Sequence, residues 1–498
     1  MMTLGDLLAH LPDAVQAGRI ERTQEVKSIT YDSRQVTDGS VFICLKGAKT
    51  DGHDYVAQAC RQGAIAVIIE EDVNVPAGVA KIKVSDTRTA MQGIVPSFFG
   101  FPGRKLRMIG VTGTNGKTTT TYLLRDILTR AGYRVGVIGT IQTLIGDRVL
   151  PVKNTTPDVV ELQGILAEMV ACNMDYVVME VSSHALALNR VAGCEFDVGI
   201  FTNMTQDHLD FHGNFDNYLE AKARLFSLVS DPAASKERKT AVVNLDDPAA
   251  KRILQSAKCA TLTYGVKAAT ADLRALQVDV KASGVSFTVR GPAGDIDLAL
   301  PITGLFNVYN VLGAVGAALA EGIEPQIIKA ALEGFKSVPG RFELVNAGQP
   351  FSIIVDYAHT PDGLENILKT AQQIAKRRIL VVFGCGGDRD RTKRPIMGRL
   401  AVEYGDVVIA TSDNPRTEDP AVILAEIEVG IREKLVEGKL YEKIADRRQA
   451  IKRALELAQT DDIVIIAGKG HETYQILKDK TIHFDDRETA VELVKELM

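Results

Sequence analysis

The sequence predicts an α/β protein of three domains, and three observations carry that prediction. The chain is 498 residues long, short apolar runs alternate with helical stretches along most of it, and a Gly/Pro breaker cluster interrupts it near residue 100. At about 150 residues per domain, one core is too few for this length. Alternating strand and helix patterns indicate parallel βαβ units whose sheets are covered on both faces.

The first hundred residues set β-like runs, Ser40 to Leu45, Ala64 to Ile69 and Lys81 to Val84, around a helical stretch from Tyr55 to Gln62. This small α/β domain closes at Phe99-Gly100-Phe101-Pro102-Gly103, so it is expected over residues 1–104. A fresh strand, Leu106 to Val111, opens the second domain. Apolar runs at Arg134 to Gly139, Asp175 to Met179, Asp197 to Phe201 and Thr240 to Asn244 continue it as a parallel sheet. Ser286 to Val289 and Asp295 to Leu300 alternate like antiparallel strands, and Asn310 to Ala320 reads as a helix. The central domain, residues 105–338, is therefore expected to carry a β appendage. From Gly340-Arg341-Phe342 onward, Ile353 to Val355, Ile379 to Phe383, Val407 to Ala410 and Ile463 to Ala467 supply four more buried strands. They predict a Rossmann-like doubly wound sheet over residues 339–498.

With 46% hydrophobic and 24% charged residues the composition is globular. A net charge of -5, with Lys and Arg scattered, lacks the basic footprint of a nucleic-acid binder, so no nucleic-acid partner is expected. The six cysteines are spread without a CxxC pair, which argues against a disulfide framework and a structural zinc site. The N-terminal stretch MMTLGDLLAHLPDAV has no basic region ahead of an apolar core, and no run of 18 apolar residues occurs. A cytoplasmic, monomeric protein with no membrane insertion is expected.

The strand Leu106 to Val111 runs into Gly113-Thr114-Asn115-Gly116-Lys117-Thr118-Thr119, and a helix from Thr119 to Ala131 follows, ended by Gly132. A glycine-rich loop between strand and helix is what a phosphate cradle needs. Glycines let backbone N–H groups face the phosphates, the helix N-terminus adds partial positive charge, and Lys117 reaches the outer phosphates. The central domain is therefore expected to be ATPase-like, with Thr118 offering its hydroxyl to magnesium. Val111 stands where the general GxxxxGK[ST] pattern has its first glycine, which implies a shortened loop. The competing reading, a glycine turn that binds nothing, is disfavoured by the strand-to-helix setting. Glu180 and His208 stand at the ends of later strands, where an open parallel sheet places its ligands. A carboxylate is a natural magnesium donor and an imidazole a less typical one; taken singly, each also reads as an ordinary loop or cap residue.

GTNGKTT, MEVSSHAL at 179–186, TNMTQDHLDFHG at 202–213, YLEAKARLF at 218–226, VPGRFE at 338–343, VDYAHTPDGLE at 355–365 and GCGGDRDRTKRP at 384–395 occur in that order. Together they resemble the Mur ligase family, and the resemblance runs from the first domain almost to the C-terminus. It implies an ATP-dependent ligase that forms an amide through an acyl phosphate. Asp413-Asn414-Pro415-Arg416 resembles the motif of members that add meso-diaminopimelate to UDP-N-acetylmuramoyl-L-alanyl-D-glutamate, whereas lysine-adding members lack the arginine. A guanidinium suits a carboxylate, and meso-diaminopimelate has one more carboxylate than lysine.

The resemblance implies further roles. Arg389, Gly468 and Glu472 would complete the diaminopimelate pocket. Ser33, Asn154, Thr155, Thr156, Ser182 and Arg190 would hold the UDP-muramoyl dipeptide. Asn307, Asn310, Arg341, Asp356 and His359 would line ATP with Gly113 to Thr119. Lys222 reads by charge pattern as solvated helix surface, but the resemblance implies a carbamylated lysine that, with Thr118, Glu180 and His208, binds Mg2+. Lys117, Glu180, His208 and Lys222 are thus the expected catalytic set. A lysine-adding ligase, a folylpolyglutamate synthetase and a nucleotide-dependent switch remain as alternatives. Arg416 disfavours the first, the separate N-terminal domain the second, and the lack of an NKxD motif the third.

Overall fold

The structure, a computed structural model, describes residues 2–11, 15–17, 21–47 and 50–497; Met1 and residues 12–14 of the N-terminal stretch lie outside them. By its internal contacts the chain divides into two compact units. One comprises Met1–Ile109, Arg134–Asp197 and Asp231–Lys239, the other Gly110–Tyr133, Val198–Ser230 and Thr240–Met498. Among the described residues no helix is long and apolar enough to cross a membrane.

The first unit opens with a five-stranded sheet in the order Val15–Ala17, Ala80–Lys83, Ala64–Ile69, Ser40–Ile43, Ser28–Thr30, parallel except at the first strand. Its strands alternate between two cores. Val41, Ile43, Ala66 and Ile68 pack with the helix Thr87–Phe98, while Phe42, Val67 and Ile69 meet Val56 and Ala59 of the helix Val56–Arg61. That two-sided burial is why these runs carry apolar residues throughout. The helix Thr87–Phe98 contains Gly93 and Pro96, residues that read as breakers, and it was not anticipated. The same unit holds Tyr176–Glu180 parallel to Val135–Ile138, which pairs in turn with the hairpin Thr143–Ile145 and Arg148–Leu150.

In the second unit Val198–Phe201, Thr240–Asn244, Ala260–Gly265 and Leu273–Lys281 run parallel, and Gly284–Gly291 and Gly294–Leu300 add the expected antiparallel pair. The strand Leu273–Lys281 was missed for a local reason. Gln277 is left-handed (φ 53°) and the register slips between Leu276 and Asp279, which breaks the alternation a strand normally shows. The helix expected from Asn310 starts five residues earlier, at Leu305.

The C-terminal sheet has the order Glu343–Val345, Ser352–Asp356, Ile463–Ala467, Ile379–Phe383, Val407–Ala410, Leu440–Lys443, with only the first strand antiparallel. Ile354, Val381, Phe383, Val408 and Ile465 face one core with the helices Pro361–Ile374, Lys393–Tyr404 and Pro420–Lys434. Ile353, Val355, Leu380, Val382, Ile409, Val464 and Ile466 face the other with Arg447–Leu457 and Asp486–Leu497. This is the doubly wound sheet the sequence predicts, with two edge strands added. Each such aliphatic side chain contributes about 1.5–3 kcal/mol on burial.

A fully buried ion pair ties the ends of its central strands. Arg447 Nε and Nη2 donate to the two oxygens of Asp486 at 2.7 and 2.6 Å, Nη1 to the Ser412 carbonyl at 3.3 Å and Nη2 to the Ala467 carbonyl at 3.0 Å. Neither partner is exposed to solvent. Removing one partner strands a buried charge, so Arg447→Met should destabilise the protein by about 3–5 kcal/mol, and adding Asp486→Leu should recover part of the loss. Urea unfolding checks this, and an unchanged midpoint for Arg447→Met would contradict it.

Candidate active site

The phosphate loop lies between the strand Arg107–Thr112 and the helix Lys117–Arg130, which begins two residues earlier than expected. Gly116 caps that helix with φ 85°, and Gly113 has φ 152°. A Cβ on Gly113 would lie 1.8 Å from the Thr202 hydroxyl, and one on Gly116 would lie 2.2 Å from Asn310 Oδ1. Only glycine fits at either position. The segment after Val198–Phe201 braces the loop. Thr114 N–H donates to the Asn203 carbonyl at 2.9 Å and Asn115 N–H to Asn203 Oδ1 at 2.9 Å. Thr202 Oγ1 and Asn203 Nδ2 return donors to the Asn115 carbonyl at 2.7 and 3.1 Å.

Two lysines converge on this loop. Lys117 Nζ donates to the carbonyls of Gly113 and Thr114 at 3.0 and 2.8 Å. Lys222, in the helix Phe215–Val229, is buried and donates to the same Gly113 carbonyl at 2.8 Å, its Nζ lying 4.4 Å from the centre of the Tyr218 ring. Burial, reinforced by the Lys117 charge, pushes the Lys222 ammonium well below its usual range, although Asp207 opposes this. The charge-pattern reading of Lys222 as surface is therefore wrong. Tyr218, Ala221, Leu225, Phe226 and Val229 bury the same helix stripe, and Lys222 lies on it. A neutral buried amine is the form that carbon dioxide can carbamylate, so this site fits the expected modification.

His208 adopts a left-handed conformation (φ 54°), and its ring Nε2 lies 3.3 Å from Asp207 Oδ2. Burial works to raise the Asp207 carboxyl, but His208, Lys393 and His359 outweigh it and hold the group down to about 2. Burial, aided by Lys393, pushes the His359 imidazole down to about 4, so it is neutral at neutral pH. Its Nδ1 lies 2.8 Å from the Tyr357 carbonyl, which assigns the proton to Nδ1.

Of the other expected nucleotide residues, Arg341 donates through Nη2 to Thr118 Oγ1 at 3.1 Å and stacks on the Tyr357 ring at 4.4 Å. Asp356 accepts the N–H groups of Phe342 and Ala358 at 2.6 and 2.7 Å, and so shapes the turn that presents Arg341. Asn310 Nδ2 donates to Asn307 Oδ1 at 3.0 Å, and Asn310 sits against Gly116. Asn115 Nδ2 also reaches Asp362 Oδ2 at 2.6 Å. Thr119 is buried in the first turn of the helix. Among the described residues no group of three or more His, Cys, Asp and Glu side chains forms a ready metal cage. Magnesium in a triphosphate site takes mostly phosphate and water oxygens with few protein donors. The Thr118 hydroxyl and a carbamylated Lys222 suit that role.

The segments carrying the expected diaminopimelate residues meet at the ends of the C-terminal strands. Asn414 Nδ2 donates to Glu472 Oε2 at 2.9 Å, and Arg416 Nη1 donates to the Gly387 carbonyl at 2.8 Å. Arg416 is half-buried with φ 51°, while Arg389 is exposed and donates to its neighbour Asp388's carbonyl at 2.9 Å. Pro415 packs against Gly387, and Gly468 leaves no room for a Cβ, which would lie 2.5 Å from Asp413 Oδ2. Burial, then Asp413, raises the Glu472 carboxyl, while Lys469, 3.2 Å away and itself buried, pulls it down. The site thus offers guanidinium and carboxylate groups on adjoining loops, as a zwitterionic ligand requires.

In the first unit Glu180 is buried and accepts Thr140 N–H and Oγ1 at 2.8 and 3.0 Å. Thr155 Oγ1 lies 3.1 Å from Thr140 Oγ1, and Thr156 Oγ1 donates to the Glu180 carbonyl at 2.8 Å. Ser182 caps the helix Ser183–Ala187 and donates its N–H to Thr156 Oγ1 at 3.0 Å. Arg190 Nη1 reaches the Thr156 carbonyl at 3.5 Å. Thr155, Thr156, Glu180, Ser182 and Arg190 are therefore brought together; Asn154 is exposed, and Ser33 is buried on its own 3-10 turn. Asn203, Tyr218, Asp362 and Lys469 were not singled out, although each lies inside or beside a recognised motif.

Three family models match the chain. Residues 25–98 match "Mur ligase family, catalytic domain", 111–318 "Mur ligase middle domain" and 340–470 "Mur ligase, glutamate ligase domain". A protein of Syntrophomonas wolfei subsp. wolfei named UDP-N-acetylmuramoyl-L-alanyl-D-glutamate--2,6-diaminopimelate ligase is 45% identical over 494 residues, 99% of each chain. Its namesake from Geobacillus thermodenitrificans is 47% identical over 99% of this chain and 100% of its own. A solved structure carrying the same enzyme name aligns over 99% of both chains with TM-score 0.69 and 34% identity.

Proposed function

The chain belongs to the Mur ligase family, and from that premise we propose that it is an ATP-dependent ligase joining meso-2,6-diaminopimelate to the D-glutamyl residue of UDP-N-acetylmuramoyl-L-alanyl-D-glutamate. It has the family's three-domain α/β fold. We take the domain boundaries near residues 104 and 338. The observation that carries the choice of amine is the meeting of Asp413-Asn414-Pro415-Arg416 with Glu472, fixed by the 2.9 Å bond from Asn414. The relatives' shared name supports the same reading.

The chemistry follows from charge. A carboxylate and an amine do not condense unaided in water. A γ-carboxylate oxygen of the D-glutamyl residue attacks the γ-phosphorus of ATP, a new O–P bond forms, and the bond to ADP breaks. The diaminopimelate amine, having lost one proton, then attacks the acyl carbon, and inorganic phosphate leaves as the C–O bond breaks. Negative charge gathers on the transferred phosphoryl in the first step and on the acyl oxygen in the second. We assign Lys117 to the first; its bonds to the Gly113 and Thr114 carbonyls, at the phosphate loop, support that role. Magnesium, when bound, neutralises triphosphate charge; Thr118, His208 and carbamylated Lys222 are the groups we assign to hold it, with Glu180 as a further carboxylate donor by resemblance.

We assign Asn307, Asn310, Arg341, Asp356 and neutral His359 to the nucleotide, and Ser33, Asn154, Thr155, Thr156, Ser182 and Arg190 to the UDP-muramoyl dipeptide. With a nucleotide precursor and ATP as substrates, we place the enzyme in the cytoplasm, acting as a monomer. Incubation with magnesium-ATP, the dipeptide precursor and diaminopimelate should yield a product heavier by one diaminopimelate less water, with one phosphate per amide. Replacing the amine by hydroxylamine should trap the acyl phosphate as a hydroxamate. Phosphate release that continues without the dipeptide precursor, and no amide product, would overturn the reading.

A further inference from the structure

Lys393 opens the helix Lys393–Tyr404 inside the motif GCGGDRDRTKRP, yet none of the roles assigned above uses it. Its side chain is buried, with only 5% of the residue exposed, and among the described residues it makes neither a hydrogen bond nor an ion pair. The next residue shows what a structural cation looks like here. Arg394, fully buried, donates to Glu418 at 2.9 and 2.8 Å, to Glu426 at 2.6 Å and to the Gly386 carbonyl at 3.2 Å. Both of its terminal nitrogens are paired within the fold. An ammonium at the end of an otherwise buried side chain, with no hydrogen bond or ion pair of its own among the described residues, is poised to meet an anion that arrives beside it.

The surroundings of Lys393 say which anion. Thr392 beside it accepts a hydrogen bond from Gln206 Nε2 at 3.1 Å, which pins the start of this helix to the Asp207-His208 segment. The Lys393 charge is felt at Asp207, at His359 and at Cys385, and Asp413 acts on the last two of these as well. The helix start that carries the ammonium is thus held beside the Asp207-His208 segment, and its charge acts on Asp207 and His359 of the nucleotide side. The group that passes through that position in the proposed reaction is the phosphoryl moving from ATP to the D-glutamyl carboxylate.

We infer that Lys393 is a catalytic residue whose ammonium contacts the transferring phosphoryl group and the acyl phosphate it forms. The inference rests on the ligase reading above. The Lys393 side chain offers positive charge where the O–P bond to the substrate forms and the bond to ADP breaks, and again when phosphate leaves. It complements Lys117, which approaches from the phosphate loop.

The test compares wild type, Lys393→Met and Lys393→Arg by thermal melting, by amide formation with diaminopimelate and by hydroxamate formation with hydroxylamine. Lys393→Met should melt no lower than wild type, because the ammonium makes no hydrogen bond or ion pair among the described residues that the substitution would break. It should lose about 100-fold or more in kcat for both reactions, with the KM for diaminopimelate changed less than about threefold. Lys393→Arg, which keeps the charge and anchors its own melting comparison, should retain more activity than Lys393→Met. Hydroxamate formation at the wild-type rate with a raised KM for diaminopimelate would overturn the inference in favour of amine binding. Activity near wild type, or a lowered melting temperature with the loss, would overturn it in favour of a structural role. If wild type itself forms no amide or hydroxamate, the ligase reading fails instead.

Discussion

Replacing Lys117 by Met should lower phosphoryl transfer about 1000-fold, a loss of about 4 kcal/mol in transition-state stabilisation. The loss arises because the reaction gathers charge on phosphate oxygens in a site where few other cations can move to meet it. Lys117 rests on the carbonyls of Gly113 and Thr114, acceptors it can exchange for phosphate oxygens with a small rotation. Folding should change little, since two hydrogen bonds from a half-buried side chain contribute about 1–2 kcal/mol together. ADP formation under saturating substrates measures the effect. A variant that retains more than about a tenth of the rate would remove Lys117 from the chemistry.

The second large effect concerns the amine. Arg416→Ala should raise the KM for meso-diaminopimelate about 30- to 150-fold, the equivalent of one charge-assisted hydrogen-bonded pair worth about 2–3 kcal/mol. The KM for ATP should stay within about twofold of wild type, because Arg416 is held by Gly387 and the backbone of Ile476, on the C-terminal loops. Arg416→Lys should recover only part of the loss, because an ammonium cannot present the paired donors of a guanidinium. Steady-state kinetics in each substrate separate these outcomes. A rise in the ATP KM matching that for diaminopimelate would mean that Arg416 supports the fold and does not read the ligand.

Much of this was legible in the sequence because the signals were local. The buried strands announced themselves as unbroken apolar runs, and the phosphate loop lay between a strand and a helix within about twenty residues. What escaped depended on distant partners. Asn115 meets Asp362, 247 positions away, and Thr118 meets Arg341, 223 positions away. No local pattern marks such pairs. Lys222 was misread because charge pattern favours an exposed lysine, although its place on the stripe Tyr218, Ala221, Leu225, Phe226 gave a contrary signal. Leu273–Lys281 was hidden by the bulge at Gln277, and Lys393 by its setting in a run of charged residues that reads as surface.

The central claim, that this ligase selects meso-diaminopimelate, is tested most directly by phosphate release with magnesium-ATP and UDP-N-acetylmuramoyl-L-alanyl-D-glutamate, comparing meso-diaminopimelate with L-lysine. Lysine lacks the distal carboxylate and would leave the Arg416 guanidinium unmatched, so kcat/KM should favour diaminopimelate by about 100-fold or more. Equal turnover of the two amines would contradict the claim.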